Sequence, residues 1–132
     1  NPPHQGHFEM AGYIHQALKS DEIWMIFSEN PLKDPSVYPS LEHRMAMAKI
    51  LAPYFDPAII LSDVEDRIAQ KIGRHDTFFV LAELQRMYPD TKFIWAMGAD
   101  TFRTYTYGKN AQTLWTNTFW LSLIGRDIPK KP

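Results

Sequence analysis

The spacing of apolar and polar residues divides this chain into amphipathic helices and buried strands. From residue 7 to residue 19, apolar side chains such as Phe8, Ala11 and Ile14 recur every three or four positions, which predicts a helix with one buried face. Residues 23–27 are continuously apolar, as is typical of a short strand that is buried on both faces of a sheet. The first part of the chain therefore predicts a helix followed by a buried strand.

Helices and strands continue to alternate along the rest of the chain. Ser40 is a typical N-cap for a second helix, whose inner face is predicted to hold Leu41, Met45 and Ala48. A third helix is predicted to begin at a cap formed by residues 76–77 and to end at residue 87, and a helical turn is predicted at 101–107. Further strands are predicted at 58–61, 92–97 and 119–124. The polar residues 62–75 are expected to form mainly a loop. This alternation predicts an α/β fold with a doubly wound, mainly parallel sheet and crossover helices.

The polar segments next to the predicted strands indicate where a ligand would bind. In open sheets of this kind, ligands bind at the carboxyl ends of the strands. The segments expected at that edge are residues 1–7, 28–33, 62–65, 98–100 and 125–127. The first of them would follow a strand that lies outside the 132 residues. Most of the polar residues of chemical interest fall in these segments.

Composition narrows the class of protein further. A chain of 132 residues with 45% hydrophobic residues is sufficient for one domain with its own core. It has no cysteine, which excludes disulfides, thiolate metal sites and cysteine catalysis and suits a cytoplasmic protein. The net charge of −1 does not indicate a nucleic-acid partner. No signal peptide is visible, and no apolar run approaches the roughly 20 residues that a membrane span requires.

The segment His4-Gln5-Gly6-His7 carries the clearest chemical signal. If a helix begins near Gly6, the unbonded N–H groups of its first turn and two imidazoles lie together, which is a favourable place for a phosphate. Gly6 would allow close approach to the backbone. Two alternatives stay open at this point: both histidines only cap the helix, or they bind zinc, which would need a third ligand.

Seven landmarks, taken in order, resemble a known family. His4-Gln5-Gly6-His7 is similar to the His-x-Gly-His signature of the nucleotidyltransferase superfamily and, more narrowly, of the bacterial nicotinate-nucleotide adenylyltransferases. The other landmarks are Asn30-Pro31-Leu32-Lys33, Arg44, Ser62-Asp63-Val64-Glu65, Thr77, the strand ending in Gly98-Ala99-Asp100, and Arg126. The resemblance implies a Rossmann-like nucleotidyltransferase fold, of which the first strand and a C-terminal part are expected to lie outside this chain.

The resemblance also implies an activity and a set of site residues. The family transfers AMP from ATP to nicotinate mononucleotide in NAD biosynthesis, with Mg²⁺ held mainly by the ATP phosphates. The implied catalytic residues are His4 and His7, and the implied ATP contacts are His4, Gly6, His7, Gly98, Asp100 and Arg126. The implied contacts to the mononucleotide are Asn30, Lys33, Thr77, Tyr105 and Tyr107, and no nucleic acid or membrane takes part.

Two substitutions leave the acceptor open. The family has tryptophans where this chain has Gly108 and Ala111, and Tyr105, Tyr107 or Trp115 would have to replace their stacking surface. Nicotinamide mononucleotide or pantetheine phosphate is therefore an alternative acceptor, and a non-catalytic nucleotide-binding domain is an alternative class.

Other polar and aromatic residues receive simpler interpretations. Asp63 and Glu65 are expected to belong to a charged loop rather than to a metal pair, and Arg44 is either a surface charge or the arginine of the family pattern. The aromatic residues Phe78, Phe79, Phe93 and Trp95 are expected to lie in the core rather than to line a pocket.

Overall fold

The computed structural model describes residues 2–27, 29, 34, 36–73, 77–97 and 118–125. In chain order these residues form α1 (Gln5–Leu18), β1 (Glu22–Phe27), α2 (Leu41–Leu51), a 3-10 turn (Ala52–Tyr54), β2 (Ile59–Ser62), α3 (Val64–Ile72), α4 (Thr77–Met87), β3 (Thr91–Ala96) and β4 (Thr118–Gly125). The helices and strands expected at 7–19, 23–27, 41 onwards, 58–61, 77–87, 92–97 and 119–124 are all present, with ends shifted by one or two residues. No helix in this part of the chain combines the length and the apolarity that a membrane crossing requires.

The four strands form one sheet in the order β2-β1-β4-β3. β1 pairs with β2 in parallel, with Ile23 opposite Ile59, whereas β4 runs antiparallel to both β1 and β3. Three of the four strands therefore share one direction, but of the three pairings only that of β1 with β2 is parallel. The expectation that β4 is parallel as well was wrong. An apolar run predicts a strand but not its direction, and β4 lies between two like-directed strands and pairs with both.

β1 is the centre of the fold because both of its faces are covered. Trp24 and Ile26 pack against residues of α3 and α4 on one face of the sheet. Ile23, Met25 and Phe27 pack on the other face against residues of α1 and α2. The alternation of side chains along a strand thus serves two cores at once, which explains why β1 is continuously apolar. Helices on both faces confirm the doubly wound α/β class.

α3 replaces most of the loop that the polar sequence indicated at residues 62–75. The Ser62 hydroxyl accepts a bond from the backbone N–H of Val64 at 3.2 Å, and Gly73 ends the helix in a left-handed conformation at φ 71°. Asp63 and Arg67 form an ion pair four residues apart at 2.8 Å. The helix was missed because its buried apolar face is narrow: only Ile68 and Ala69 are buried apolar residues, and four of its nine residues are charged.

Three helices begin at the edge of the sheet where β1, β2 and β3 end. Phe8, near the start of α1, shares a buried cluster with Phe27, the last residue of β1. The carboxylate of Glu29, two residues after β1, accepts a bond from the first backbone N–H of α2, and α3 follows directly on β2. The positive ends of three helix dipoles therefore lie along one edge, which we call the carboxyl edge.

Candidate functional site

His4 and His7 cap the start of α1 through reciprocal hydrogen bonds. The backbone N–H of His4 donates to Nδ1 of His7 at 3.2 Å, and the His4 side chain accepts from the backbone N–H of His7. This is the capping-box arrangement, in which imidazoles take the places usually held by a serine and a glutamate. The predicted helix start at the motif is thus confirmed. The two histidines themselves fix the first turn of this helix.

The reciprocal bonds determine what His7 can offer to a ligand. A ring nitrogen that accepts a hydrogen bond carries no hydrogen, so in the neutral ring of His7 the hydrogen is on Nε2. Nε2 is then a donor, the type of group that a phosphate oxygen requires. The two rings lie close together, with centroids 3.9 Å apart and planes at 40°, so they present one compact surface over the helix start.

Gly6 is required by the way the His4 ring lies over this turn. A Cβ atom at position 6 would lie 3.1 Å from Cε1 and 3.2 Å from Nδ1 of His4, closer than side-chain carbons ordinarily approach. Since the ring belongs to the helix cap, a side chain here would shift the His4 imidazole by a few tenths of an ångström. The glycine between the histidines therefore serves the placement of His4 as well as access to the backbone.

The three helix starts at the carboxyl edge differ in charge. The first turn of α1 contains no acidic residue, whereas that of α2 contains Glu42 and that of α3 contains Glu65 and Asp66. Carboxylates offset the positive end of a helix dipole and repel anions. Of these three helix starts, that of α1 is consequently the one best suited to bind a phosphate.

The other predicted site residues are only partly described. Thr77 is the first residue of α4. The predicted contacts Asn30, Lys33, Gly98, Asp100, Tyr105, Tyr107 and Arg126 lie outside the described residues, as do the replaced positions Gly108 and Ala111.

One expected segment lies elsewhere. Gly125 pairs with Thr91, the first residue of β3, and so lies at the edge opposite the carboxyl edge. The expectation that β4 ends beside the motif was wrong because β4 is antiparallel. The role of Arg126 itself stays a prediction.

The acidic residues after β2 do not form the metal pair that their sequence allowed. Asp63 bonds to Arg67, and Glu65 is only 3% exposed. Among the described residues, no three histidine or acidic side chains come together in a way that would hold a metal ion. The charged-loop interpretation was also wrong, because both residues belong to the start of a helix.

Sequence reasoning missed that an arginine in the first turns of α2 is buried. Arg44 is only 4% exposed, so the interpretation as a surface charge was wrong. Burial lowers the pKa of its guanidinium, and the negative charges of Glu29 and Asp66 oppose that shift. The signal was present in the spacing, because Arg44 lies three residues after Leu41 and four before Ala48, on the inner face of the helix.

An apolar cleft of about 380 Å³ lies between α4 and β3, on the face opposite α1. It is lined by Phe78, Leu81, Ala82, Gln85, Phe93 and Trp95. Phe93 and Trp95 also pack against the core, as expected, but Phe78 is 68% exposed and Phe79 is 38% exposed. The expectation of a core position was therefore wrong for Phe78 and Phe79, and the Phe78 ring forms one wall of the cleft.

The fold and this edge define a class before any comparison is made. The chain is an α/β protein with a doubly wound sheet. The start of α1 at the carboxyl edge has an imidazole cap and no acidic residue, which is the kind of helix start that suits an anionic ligand.

Comparison with known proteins gives the family: the cytidylyltransferase-like family model matches residues 1–126, and the chain belongs to this family. No solved structure matches the chain.

Several curated proteins are similar to this chain. A probable nicotinate-nucleotide adenylyltransferase of Parvibaculum lavamentivorans is 38% identical over 101 residues, covering 76% of this chain and 47% of that protein. Proteins of the same name from Rhizobium johnstonii and a Caulobacter species are 34% and 37% identical, covering 96% and 80% of this chain and 60% and 53% of their own lengths. The chain thus spans about half of each relative it matches.

Proposed function

We propose that this chain is the nucleotide-binding part of an adenylyltransferase that transfers AMP from ATP to nicotinate mononucleotide and releases pyrophosphate, in NAD biosynthesis. The observation that carries the proposal is the start of α1, where two mutually bonded histidines cap a helix whose first turn has no acidic residue. The relatives named as probable nicotinate-nucleotide adenylyltransferases support the choice of reaction.

The chemistry requires no covalent intermediate. A phosphate oxygen of the mononucleotide forms a bond to the α-phosphorus of ATP, and the bond from that phosphorus to the oxygen bridging to the β-phosphate breaks. The electron pair leaves with pyrophosphate. The attacking phosphate is already ionised, so no general base is needed, and catalysis consists of positioning the reactants and offsetting negative charge.

His4 and His7 would contribute to both tasks. Nε2–H of His7 and the N–H groups of the first turn of α1 would donate to oxygens of the triphosphate, most strongly as negative charge moves to the leaving group. Mg²⁺ enters as part of the MgATP substrate, held mainly by phosphate oxygens and water and supplying charge neutralisation. The metal would therefore need no site built from protein ligands.

The remaining contacts are proposed from the family pattern. Gly98 and Asp100 would contact the adenosine, and Asn30 and Lys33 would contact the phosphate of the mononucleotide. In a second set, Thr77, Tyr105 and Tyr107 would bind the nicotinate. Phe78 follows Thr77 in the chain, so the apolar cleft begins one residue from the proposed nicotinate contact, which supports a planar aromatic acceptor.

The direct test is turnover by the complete natural protein with MgATP and a panel of acceptors. We expect the dinucleotide product and an equal amount of pyrophosphate with nicotinate mononucleotide, measured by chromatography and a coupled pyrophosphate assay. Preference for nicotinamide mononucleotide or pantetheine phosphate would replace this acceptor with the one that the changes at Gly108 and Ala111 favour. Binding of ATP without turnover on any acceptor would refute the transferase proposal and support a non-catalytic domain.

A further inference from the structure

The ring of His7 is part of the cap of α1, and this limits the charge that it can carry. Its Nδ1 accepts the backbone N–H of His4 at 3.2 Å, so this nitrogen has no hydrogen while the bond exists. An imidazolium has a hydrogen on both nitrogens and accepts no bond. Protonation of His7 would therefore direct a second hydrogen at the N–H of His4 and break the cap bond.

Two further features of the same turn oppose a positive charge on this ring. His7 is the third residue of α1, and the positive end of the helix dipole disfavours a cation there. The centroid of the His4 ring lies 3.9 Å from that of His7, so two imidazoliums would repel each other at contact distance. The cap bond, the dipole and the second ring therefore all favour a neutral His7.

The elements that pack against α1 bring charges of both signs to the carboxyl edge. α1 packs against β1, β2 and β4 and shares a core with α2. The strands contribute no charged residue at that edge. The charged or titratable residues there are Glu9 on α1 and Glu42, His43 and Arg44 on α2, together with Glu29. Glu9 accepts from the Gln5 amide at 2.6 Å, Glu29 accepts from the N–H of Leu41, and Arg44 offsets part of the negative charge.

We propose that His7 binds the triphosphate as a neutral imidazole that donates from Nε2, and that it stays neutral when MgATP is bound. This inference rests on the proposed function and specifies the chemistry of its site. The start of α1 would hold phosphate through N–H donors and the helix dipole, without a cationic side chain. Because the cap bond is kept, the donor would stay in place while negative charge moves to the leaving pyrophosphate.

Substitutions at position 7 separate the cap, the donor and the charge. Glutamine has an oxygen that can accept from the N–H of His4 and an uncharged amide nitrogen that can donate to phosphate, and it is usual at this capping-box position. Lysine keeps a positive charge but has no acceptor, so it loses the cap. Glutamate keeps the cap but has no donor and repels an anion. A neutral site therefore prefers glutamine to lysine, and a cationic site prefers lysine to glutamine.

The experiment measures binding of MgATP by calorimetric titration, without any acceptor, in the complete natural protein. The variants are His7→Gln, His7→Lys and His7→Glu. His43→Gln and His43→Lys make the same changes at the third position of α2 and are the matched controls. Urea unfolding measures the stability of each variant. Nitrogen NMR of protein with isotope-labelled histidine records the state of the His7 ring with and without MgATP, and the signal is assigned by its loss in His7→Gln.

We expect His7→Gln to weaken MgATP binding only about threefold and His7→Lys to weaken it about tenfold, because lysine loses the cap and the fixed donor. His7→Glu should bind more weakly than His7→Lys, since its charge repels phosphate. Both His43 variants should match the wild type. The NMR spectrum should show one ring nitrogen of His7 with a hydrogen and one without, in the free and in the bound protein, whereas an imidazolium has two protonated nitrogens.

The outcomes separate this inference from the proposed function. Binding by His7→Lys that equals or exceeds that of His7→Gln, or an imidazolium spectrum once MgATP is bound, would overturn the neutral donor. Equal losses in the His7 and His43 variants would overturn it too. If His7→Lys does not fold, the spectrum and His7→Gln still decide. Binding in the expected order without turnover on any acceptor would refute the proposed function alone, and a wild type that does not bind MgATP would overturn both.

Discussion

The starts of α1 and α2 lie at the same edge of the sheet but are capped in different ways. α1 is capped by two imidazoles that bond to each other's backbone, and its first turn has no acidic residue. α2 is capped by the Ser40 hydroxyl, which accepts from the N–H of His43 at 3.1 Å, and by the carboxylate of Glu29. Each helix has a histidine at its third position, His7 and His43, so the two starts form a matched pair.

The difference teaches how two helix starts at one edge can differ in their attraction for an anion. At α2, carboxylates offset the positive end of the helix dipole within the protein, so little attraction for an anion remains. At α1, the imidazoles satisfy backbone groups without adding negative charge, and the dipole stays available to a phosphate. The attraction of a helix start for an anion therefore depends less on the position of a histidine in the helix than on the charges of the turn around it.

Removal of the imidazole at the third position should have the largest effect. We expect His7→Ala to lower kcat about a hundredfold, as loss of one preorganised donor typically does, and to destabilise the fold by about 1 kcal/mol through the lost cap. His43→Ala, at the same position of α2, should leave kcat unchanged. Steady-state kinetics and urea unfolding measure both effects. Equal losses in the two variants would show that the helix starts do not differ in function.

A side chain at Gly6 should displace His4 while leaving all donors in the sequence. We expect Gly6→Ala to lower kcat/KM for ATP about tenfold, because the added carbon forces the ring from its place. Gly12→Ala is the matched control on α1, since its added carbon would meet Asp56 at an ordinary 3.7 Å. Steady-state kinetics of both variants would measure this effect, and circular dichroism would show whether both variants are folded. Unaltered kinetics in Gly6→Ala would contradict a role for the ring's position.

Adding a carboxylate to α1 should make its start resemble that of α2. We expect Gln5→Glu to raise the KM for ATP about threefold, because a charge at a helix end contributes about 0.3–1 kcal/mol, and the effect should shrink at high salt. Gln5→Ala controls for the lost bond from Gln5 to Glu9, which measures 2.6 Å. Initial rates at low and high ionic strength provide the test. A KM that rises equally in both variants would exclude a charge effect.

Removal of the Ser40 cap should change stability without changing catalysis. We expect Ser40→Ala to lower the free energy of unfolding by about 1 kcal/mol, the usual cost of losing a hydroxyl N-cap, with the KM for ATP unchanged. Urea unfolding and steady-state kinetics on one preparation measure the two quantities. A change in ATP affinity beyond the loss of stability would show that the start of α2 also contacts the nucleotide.

Most elements of the fold could be predicted because their apolar patterns are strong. β1 is apolar at every buried position, and α1 repeats its apolar residues at helical spacing. α3 was missed because its capping groups, Ser62 and Gly73, were interpreted as loop residues and its apolar face is narrow. The direction of β4 could not be predicted, since it depends on the two neighbours between which the strand lies.

The candidate site was predictable in its position but not in its bonds. A glycine between two histidines before an apolar run predicted a helix start that suits an anion, and α1 begins there. The bond from the His4 N–H to Nδ1 of His7 depends on side-chain rotamers, which no spacing specifies. For Arg44 the sequence left a surface charge and the arginine of the family pattern open, and its acceptor at Pro39 is visible only in three dimensions.

The central place of β4 also determines when the sheet can be completed during synthesis. β4 closes the edge of β1, and the pair Glu22 and Leu123 joins positions about a hundred residues apart, a separation that slows folding. Two other parts of the fold can form much earlier. They are α1, whose cap involves residues three positions apart, and the β1–β2 pair. Until β4 emerges from the ribosome, one edge of the apolar strand β1 lacks the partner that it has in the described sheet, which makes the nascent chain a substrate for aggregation or for a chaperone.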